Sequence, residues 1–269
     1  MLKASVIISF YNRIDYLKYV LAGFKRQSLR NFEIIIADDG SNAEVVEELE
    51  KLSTEISYPL IHVWHEDKGF RKNKILNRAI TSSNTDYLIF IDGDCVPHRE
   101  FVNEHFIYSS MGKCLTGRRV NLSQKVTEGL SVENIKNGYL ENNKLKLIID
   151  GLWGKSDNVE RGFYIRNKFL RHILNKKKRG ILGCNFSIHK KDILAINGFD
   201  ERYELPSIGE DSDVQFRLEL LKVEVVSLGN IAVQYHLYHK LQERPQKNLD
   251  LFAEIKKSSV FYTPFGINQ

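Results

Sequence analysis

The first third of the chain alternates short apolar runs with amphipathic stretches. Ser5 to Phe10, Glu33 to Ala37, Leu60 to Trp64 and Tyr87 to Ile91 are strand-length runs rich in Val, Ile and Leu. Between them, Tyr16 to Lys25, Ala43 to Leu52 and Lys72 to Ala79 carry apolar residues at helical spacing. This order predicts a βαβαβαβ succession. Strands that read as continuous apolar runs are covered on both faces, so a mostly parallel sheet flanked by helices follows. Ligands of such sheets bind beyond the carboxyl ends of the strands. Those ends carry Tyr11-Asn12-Arg13, Asp38-Asp39-Gly40-Ser41, Glu66-Asp67-Lys68-Gly69 and Asp92-Gly93-Asp94, four polar loops expected to converge on one rim.

From about Lys113 to Arg179 the rhythm is lost, and the sequence predicts a smaller excursion from the core. Order returns at Gly180-Ile181-Leu182-Gly183, with helices expected over 190–196 and 212–221 and strands over 224–228 and 231–235. The residues from Leu241 onward read as an outer helical tail. We therefore expect one domain spanning 1–269, with a nucleotide-binding half (1–95), an acceptor and catalytic half (96–240) carrying an insertion at about 121–179, and the tail 241–269.

A chain of 269 residues, 42% hydrophobic, can bury a substantial core. Its +5 charge is unevenly placed: between residues 160 and 179 eight basic side chains stand against Glu160 alone, a local excess larger than that of the whole chain. Phe163, Tyr164, Ile165, Phe169, Leu170, Ile173 and Leu174 are interleaved with them. Such a stretch can rest on an anionic leaflet, or equally be a solvated helix face with its apolar side on the core. Nucleic acid is not an expected partner. Cys95, Cys114 and Cys184 lack the paired spacing of a zinc or redox motif and fit a reduced cytoplasm. No apolar run approaches the roughly 20 residues of a membrane span, and no signal-peptide pattern precedes the first strand.

Asp92 and Asp94 leave a strand end two residues apart, where alternation points both the same way. Two carboxylates facing one spot suit a hard divalent cation that keeps open positions for diphosphate oxygens. An isolated Asp-Gly-Asp is as readily a solvated turn; its company changes the reading. Asp38 and Asp39 close another strand and can accept from a uracil N–H or a ribose hydroxyl. Tyr11 offers a flat face to a base, and Arg71, in the third loop with Asp67, can pair with a diphosphate or brace the carboxylates. Glu210 and Asp211 precede a predicted helix whose positive end keeps an acid ionised, as a general base requires. His236 and His239 follow the last predicted strand, and an imidazole beside carboxylates favours Mn2+ over Mg2+.

The segments Ser5 to Arg13, Phe32 to Ser41 and Asp92-Gly93-Asp94 resemble the nucleotide-binding half of family-2 glycosyltransferases with the GT-A fold. Gly183 to Ser187, Asn197 to Glu201 and Gly209 to Asp213 are similar to the carboxyl half of the galactosyltransferase and chondroitin-polymerase branch. The resemblance implies an α/β GT-A fold with a mixed, mostly parallel sheet, and an inverting transferase acting from a UDP-sugar on a glycan or lipid-linked saccharide. It implies that Asp38, Asp39, Asp67 and Arg71 surround the uridine, that Asp92 meets the ribose or metal, and that Asp94 and His236 ligate Mn2+ or Mg2+. Ser9, Tyr11, Arg13 and Gly93 complete the expected nucleotide set. Asp211 is implied as the base with Glu210 beside it, and Gly183, Asn185 and Trp153 as the donor-sugar and acceptor set. Leu205-Pro206-Ser207-Ile208-Gly209 departs from the tryptophan-glycine stretch that often precedes the acidic pair in that branch, which leaves the donor sugar open. A sugar-phosphate nucleotidyltransferase is the competing enzyme, but Ser9-Phe10-Tyr11-Asn12 is not its Gly-rich basic loop. No G-x-G-x-x-G of a dehydrogenase opens a predicted helix. A catalytically inactive glycan-binding protein on the same fold is the third reading.

Overall fold

The apolar runs of the first third become strands, three of them buried on both faces and the edge run 60–64 only partly buried. A computed structural model describes residues 1–206, 209–240 and 245–268. Its opening elements are β1 (Ala4–Phe10), α1 (Ile14–Phe24), β2 (Phe32–Asp38), α2 (Ala43–Thr54), β3 (Leu60–Trp64), α3 (Lys72–Ser82) and β4 (Tyr87–Asp92), the predicted succession with ends moved by up to three residues. There follow β5 (Cys95–Pro97), α4 (Phe101–Ile107), β6 (Lys113–Thr116) and β7 (Arg118–Asn121). Five short helices come next: α5 (Gln124–Glu128), α6 (Val132–Lys136), α7 (Tyr139–Asn142), α8 (Lys144–Leu152) and, after a 3-10 turn at Val159–Gly162, α9 (Lys168–Leu174). The chain continues through β8 (Asn185–His189), α10 (Lys190–Ala195), α11 (Glu210–Leu220), β9 (Glu224–Ser227), β10 (Val233–His236) and α12 (Gln246–Ser258).

Seven strands form one sheet in the order β3-β2-β1-β4-β8-β6-β9, in which only β8 runs antiparallel to its neighbours. Alternation along each strand splits the core in two. Val6, Ile8, Ile34, Ile36, Ile89 and Ile91 face one side, where α1, α2 and α4 cover them with Leu17, Phe24, Leu49 and Phe101. Ile7, Ile35, Leu88 and Phe90 face the other, under Ile75 and Ile80 of α3, Ile193 of α10 and Val214 and Leu218 of α11. A second sheet, β5-β10-β7, packs with the short helices around Val120, Leu147, Val233 and Tyr235.

One expectation is corrected, and two placements are added to the predicted pattern. The stretch from Lys113 is not an excursion at its start: β6 belongs to the large sheet and β7 to the small one. Four-residue strands are too short to display a period. The segment 185–189 is a strand, inserted between β4 and β6, although Asn185, Ser187 and Ile188 are all buried and mask its alternation. The last two strands, expected over 224–228 and 231–235, lie in different sheets: β9 edges the large sheet and β10 centres the small one. Residues 241–244 lie outside the described residues; the tail helix itself is Gln246–Ser258, and after it Ile267 and Asn268 bond back to Asn197.

Candidate active site

Strand order reverses between β1 and β4, because the chain winds outward through β2 and β3 and then returns to the other side of β1. A crevice forms at such a switch point, and here it is a cavity of about 790 Å³. Ser9 and Asp92 are register partners at its base, and the Ser9 hydroxyl donates to Asp92 Oδ1 at 2.6 Å. Gly93 donates its N–H to the Ser9 carbonyl at 2.8 Å, and a Cβ there would lie only 3.0 Å from that oxygen. Asp39, Asp67, Asp92, Asp94, Glu210 and Asp211 all line this cavity. Carboxylates far apart in sequence do gather at the mouth of the sheet.

Asp94 sits in the turn between β4 and β5, while His236 ends β10 and His239 follows it. Both imidazole Nε2 atoms approach the same Asp94 oxygen, at 3.4 Å for His236 and 3.2 Å for His239, and lie 3.1 Å from each other. Burial pushes the Asp94 carboxyl up, but the two histidine hydrogen bonds outweigh it and hold the group well below the usual carboxylate range. The His239 imidazole is raised, chiefly by its bond to Asp94. One carboxylate oxygen and two imidazole nitrogens within 4.8 Å of one another are a donor set for a transition-type divalent ion, with positions left for ligand oxygens. The residues thus fit the cation that the sequence implies, with His239 joining His236. Asp92 does not enter this group: its Oδ1 is taken by Ser9 and by Lys72 Nζ at 3.0 Å.

The loops after β1, β2 and β3 form the other part of the rim. The Tyr11 ring is half exposed, and its hydroxyl donates to Asp67 Oδ2 at 2.9 Å. The Gly69 N–H and the Tyr11 hydroxyl hold the Asp67 carboxyl below its ordinary value. Burial raises the Asp39 carboxyl, against bonds from the Arg71 N–H and His65. Gly40, at φ +96°, passes so close to Asp67 that a Cβ would sit 2.6 Å from its Cα, which locks these two loops together. Arg13 lines the cavity, pairs with Asp15 at 3.1 Å and lies over the Tyr16 ring.

Glu210 and Asp211 occupy the first turn of α11 and do not merely precede it; Gly209 caps the helix. Asp211 accepts from the Ser212 N–H at 2.7 Å and the Gly183 N–H at 3.3 Å, which aims its carboxylate at the cavity-lining Gly183 segment. Burial raises the Glu210 carboxyl, opposed by the charge of Lys72. Lys72 itself is held protonated, because Asp92 and Glu210 together overcome the burial that disfavours its charge.

Four expected residues fall outside this wall. Asp38 is fully buried and accepts from the Ser41 N–H and hydroxyl, with His62 on its other oxygen; as the last residue of β2 it points to the face opposite Asp39. The Arg71 guanidinium turns away to the Glu66 carbonyl, so only its backbone N–H braces Asp39. Asn185 is buried with both ends of its amide used, by His105, Arg118 O and Ala232 O. Trp153 is an exposed residue at the end of α8, away from the cavity lining. Lys72 and Arg119 line the cavity and were not expected. The basic run Arg71-Lys72-Asn73-Lys74, opening a helix beside mostly acidic loops, was a usable signal for Lys72; Arg119 depends on β7, whose strand left no trace in the pattern.

The sequence model of glycosyl transferase family 2 matches residues 5–192, and that described as the N-terminal domain of galactosyltransferase matches residues 171–240. An uncharacterised glycosyltransferase of Bacillus subtilis, YfnE, is 34% identical over 39% of this chain and 26% of its own length. One from Rickettsia felis is 28% identical over 55% of this chain and 24% of its own. The chain thus matches only about a quarter of the length of these relatives. Among solved structures, Staphylococcus aureus TarS 1-349 in complex with UDP superposes with a TM-score of 0.58 at 15% identity, covering 96% of this chain and 65% of that one. GalNAc-T7 with UDP, GalNAc and Mn2+ gives 0.64 at 13%, covering 96% and 48%. These likenesses assign the GT-A fold. With most of its length under the family pattern and the acidic loops of that pattern gathered at one cavity, the chain belongs to glycosyl transferase family 2.

Proposed function

We propose that the protein is an inverting, metal-dependent hexosyltransferase that moves a Gal, GalNAc, Glc or GlcNAc-type sugar from UDP to a hydroxyl of a glycan or lipid-linked saccharide, in surface polysaccharide synthesis. The observation that carries this reading is that the Asp94, His236 and His239 cluster and the Asp211 carboxylate line one cavity. Solved relatives in fold hold UDP, UDP-GlcNAc, or UDP with Mn2+, which supports the donor class. Tyr11, Asp39 and Asp67 line the part of the rim assigned to the nucleoside, with Ser9, Arg13 and Gly93 beneath it. Asp94, His236 and His239 would hold Mn2+ or Mg2+, which neutralises the departing diphosphate. Asp211 takes the proton of the acceptor hydroxyl as its oxygen bonds to the anomeric carbon; the bond to the diphosphate breaks on the opposite face and UDP leaves. A diphosphate needs no protonation to depart, so a single base suffices, unlike the paired acids of a glycosidase. Lys72 keeps Asp92 and Glu210 compensated in a partly dry site.

A panel of UDP-sugars incubated with Mn2+ and assayed for released UDP tests the reading. Turnover of at least one donor, abolished by chelation, is expected; binding without any metal-dependent turnover across the panel points to an inactive glycan binder.

The 161–179 stretch is proposed to touch an anionic membrane surface. None of the residues of α9 is buried, and Phe169 is 71% exposed with Leu170, Ile173 and Leu174 about half exposed. Arg171 is committed to Glu104 at 2.7 Å, leaving Arg166, Lys168 and Lys176 to Lys178 for lipid. Among the described residues no helix is long and apolar enough to cross a membrane. Co-sedimentation with vesicles containing phosphatidylglycerol is expected, with loss in pure phosphatidylcholine; equal binding to both removes the electrostatic contact.

A further inference from the structure

The half-buried guanidinium of Arg118 on β7 has no role in the chemistry above. It donates only to neutral oxygens: Nη1 to Gly117 O at 2.7 Å and Thr116 Oγ1 at 3.2 Å, Nη2 to Gly180 O at 2.9 Å. No ion pair forms on it among the described residues.

Two more arginines are delivered to the same corner. Residues 118 and 120 share a face of β7, and Gly162 packs on that strand so closely that a Cβ would lie 3.0 Å from Val120 Cγ2. This seats Arg161, one residue earlier in the 3-10 turn, near Arg118. Arg179 directly precedes Gly180, whose carbonyl takes the Arg118 bond. Burial, followed by the charges of Arg179 and Arg161, pushes the Arg118 pKa down to about 10. Against three guanidiniums, Glu160 lies 3.6 Å from Arg161 and is 73% exposed, and the Asp211 carboxylate acts on Arg118 less than the two arginines do. Positive charge in excess of its counterions, with Arg118 partly withdrawn from water, favours an anion that joins it.

The corner adjoins the catalytic cavity. Thr116 Oγ1, the acceptor from Arg118, also accepts from the Leu182 N–H at 3.1 Å, and Leu182, Gly183 and Cys184 line the cavity. Gly183 in turn donates to Asp211. In the sheet this is the β8-β6 side, away from the β1 to β3 loops assigned to the nucleoside.

We propose that Arg118, Arg161 and Arg179 form an anion subsite that holds a phosphoryl group carried by the acceptor. The inference rests on the transferase reading, since it takes the hydroxyl beside Asp211 as the acceptor end. Guanidinium forks match a tetrahedral dianion in both charge and geometry.

The test uses the whole chain with UDP and Mn2+ saturating, so that the donor side is filled, and titrates glucose 6-phosphate by calorimetry. Glucose, glucuronate and phosphatidylglycerol vesicles are the parallel arms, and an Arg161→Gln/Arg179→Gln double variant is compared with Lys51→Gln, a charge change on the exposed face of α2. Wild type and Lys51→Gln are expected to bind glucose 6-phosphate alike. The double variant should weaken it by about ten-fold or more at unchanged UDP affinity, with glucose and glucuronate binding less well in wild type. The subsite is overturned by equal affinity in the double variant, by absence of binding in wild type, by glucuronate binding as tightly, or by a defect confined to vesicle binding, which would make the corner a lipid contact. UDP release from UDP-sugar, read on the same samples, separates the two readings. Turnover without sugar-phosphate binding removes the subsite alone, whereas sugar-phosphate binding without turnover removes the transferase reading.

Discussion

Asp211→Asn is expected to lower transfer by about 10²–10⁴-fold, the usual contribution of a positioned general base, while UDP and Mn2+ bind almost as before. The amide oxygen can keep the 2.7 Å bond from the Ser212 N–H and gives up only the longer one from Gly183, so α11 should retain its first turn. It lacks the basicity to take a hydroxyl proton. Because the interaction is made as the proton moves, the loss should fall on kcat more than on KM. Initial rates with a turned-over donor and calorimetric UDP titration check both halves. Near-normal kcat would strip Asp211 of the role.

Asp94→Asn should give the opposite pattern, in which donor affinity and transfer fall together. The carboxylate is the charged member of the cluster, and both imidazoles bond to the same oxygen of it. An amide cannot supply that charge, and the two Nε2 atoms at 3.1 Å lose what holds them together. Even outer-shell partners of a metal are worth 10–100-fold in affinity, so loss of a direct ligand is expected to cost about 100-fold or more in Mn2+ binding. Titration of Mn2+ by paramagnetic resonance, followed by UDP binding at fixed Mn2+, reads both quantities. Wild-type Mn2+ affinity in the variant would move the cation elsewhere.

The sheet was legible where strands were long and wholly apolar, as in Val6 to Ile8 or Ile34 to Ile36, because burial on both faces leaves a run that loops do not imitate. It was illegible at β6, β7 and β8, where four or five residues with polar members leave no apolar run, although β9 and β10, equally short, fall on predicted strands. Asn185 illustrates the cost: the resemblance implied a place for it by the donor sugar, but as the first residue of β8 it is enclosed between strands and spends its amide on His105 and two carbonyls. Gly117 shows how tight that enclosure is, since a Cβ there would fall 2.3 Å from Asn185 Oδ1. In the Asp38-Asp39 pair, the motif announced two acids and the structure exposes one to the cavity, because neighbours at a strand end face opposite ways. Asp92 was expected at the ribose or the cation; it lines the cavity with one oxygen held by Lys72, a partner 20 residues away that no spacing rule connects to it. Asp94, Glu210 and Asp211 were legible because each stands at the end of an element that the apolar pattern did define.

The cation cluster spans two independent pieces of framework. Asp94 hangs from the link that carries the chain out of the seven-stranded sheet into the three-stranded one, and His236 belongs to the middle strand of the latter. An ion bound there acts as a clasp across the seam between them. An ion there would stabilise the arrangement in which the two sheets meet beside the cavity, since whatever binds only the assembled form favours it. The same atoms that neutralise a leaving group would then also set how firmly the two sides of the cavity are joined.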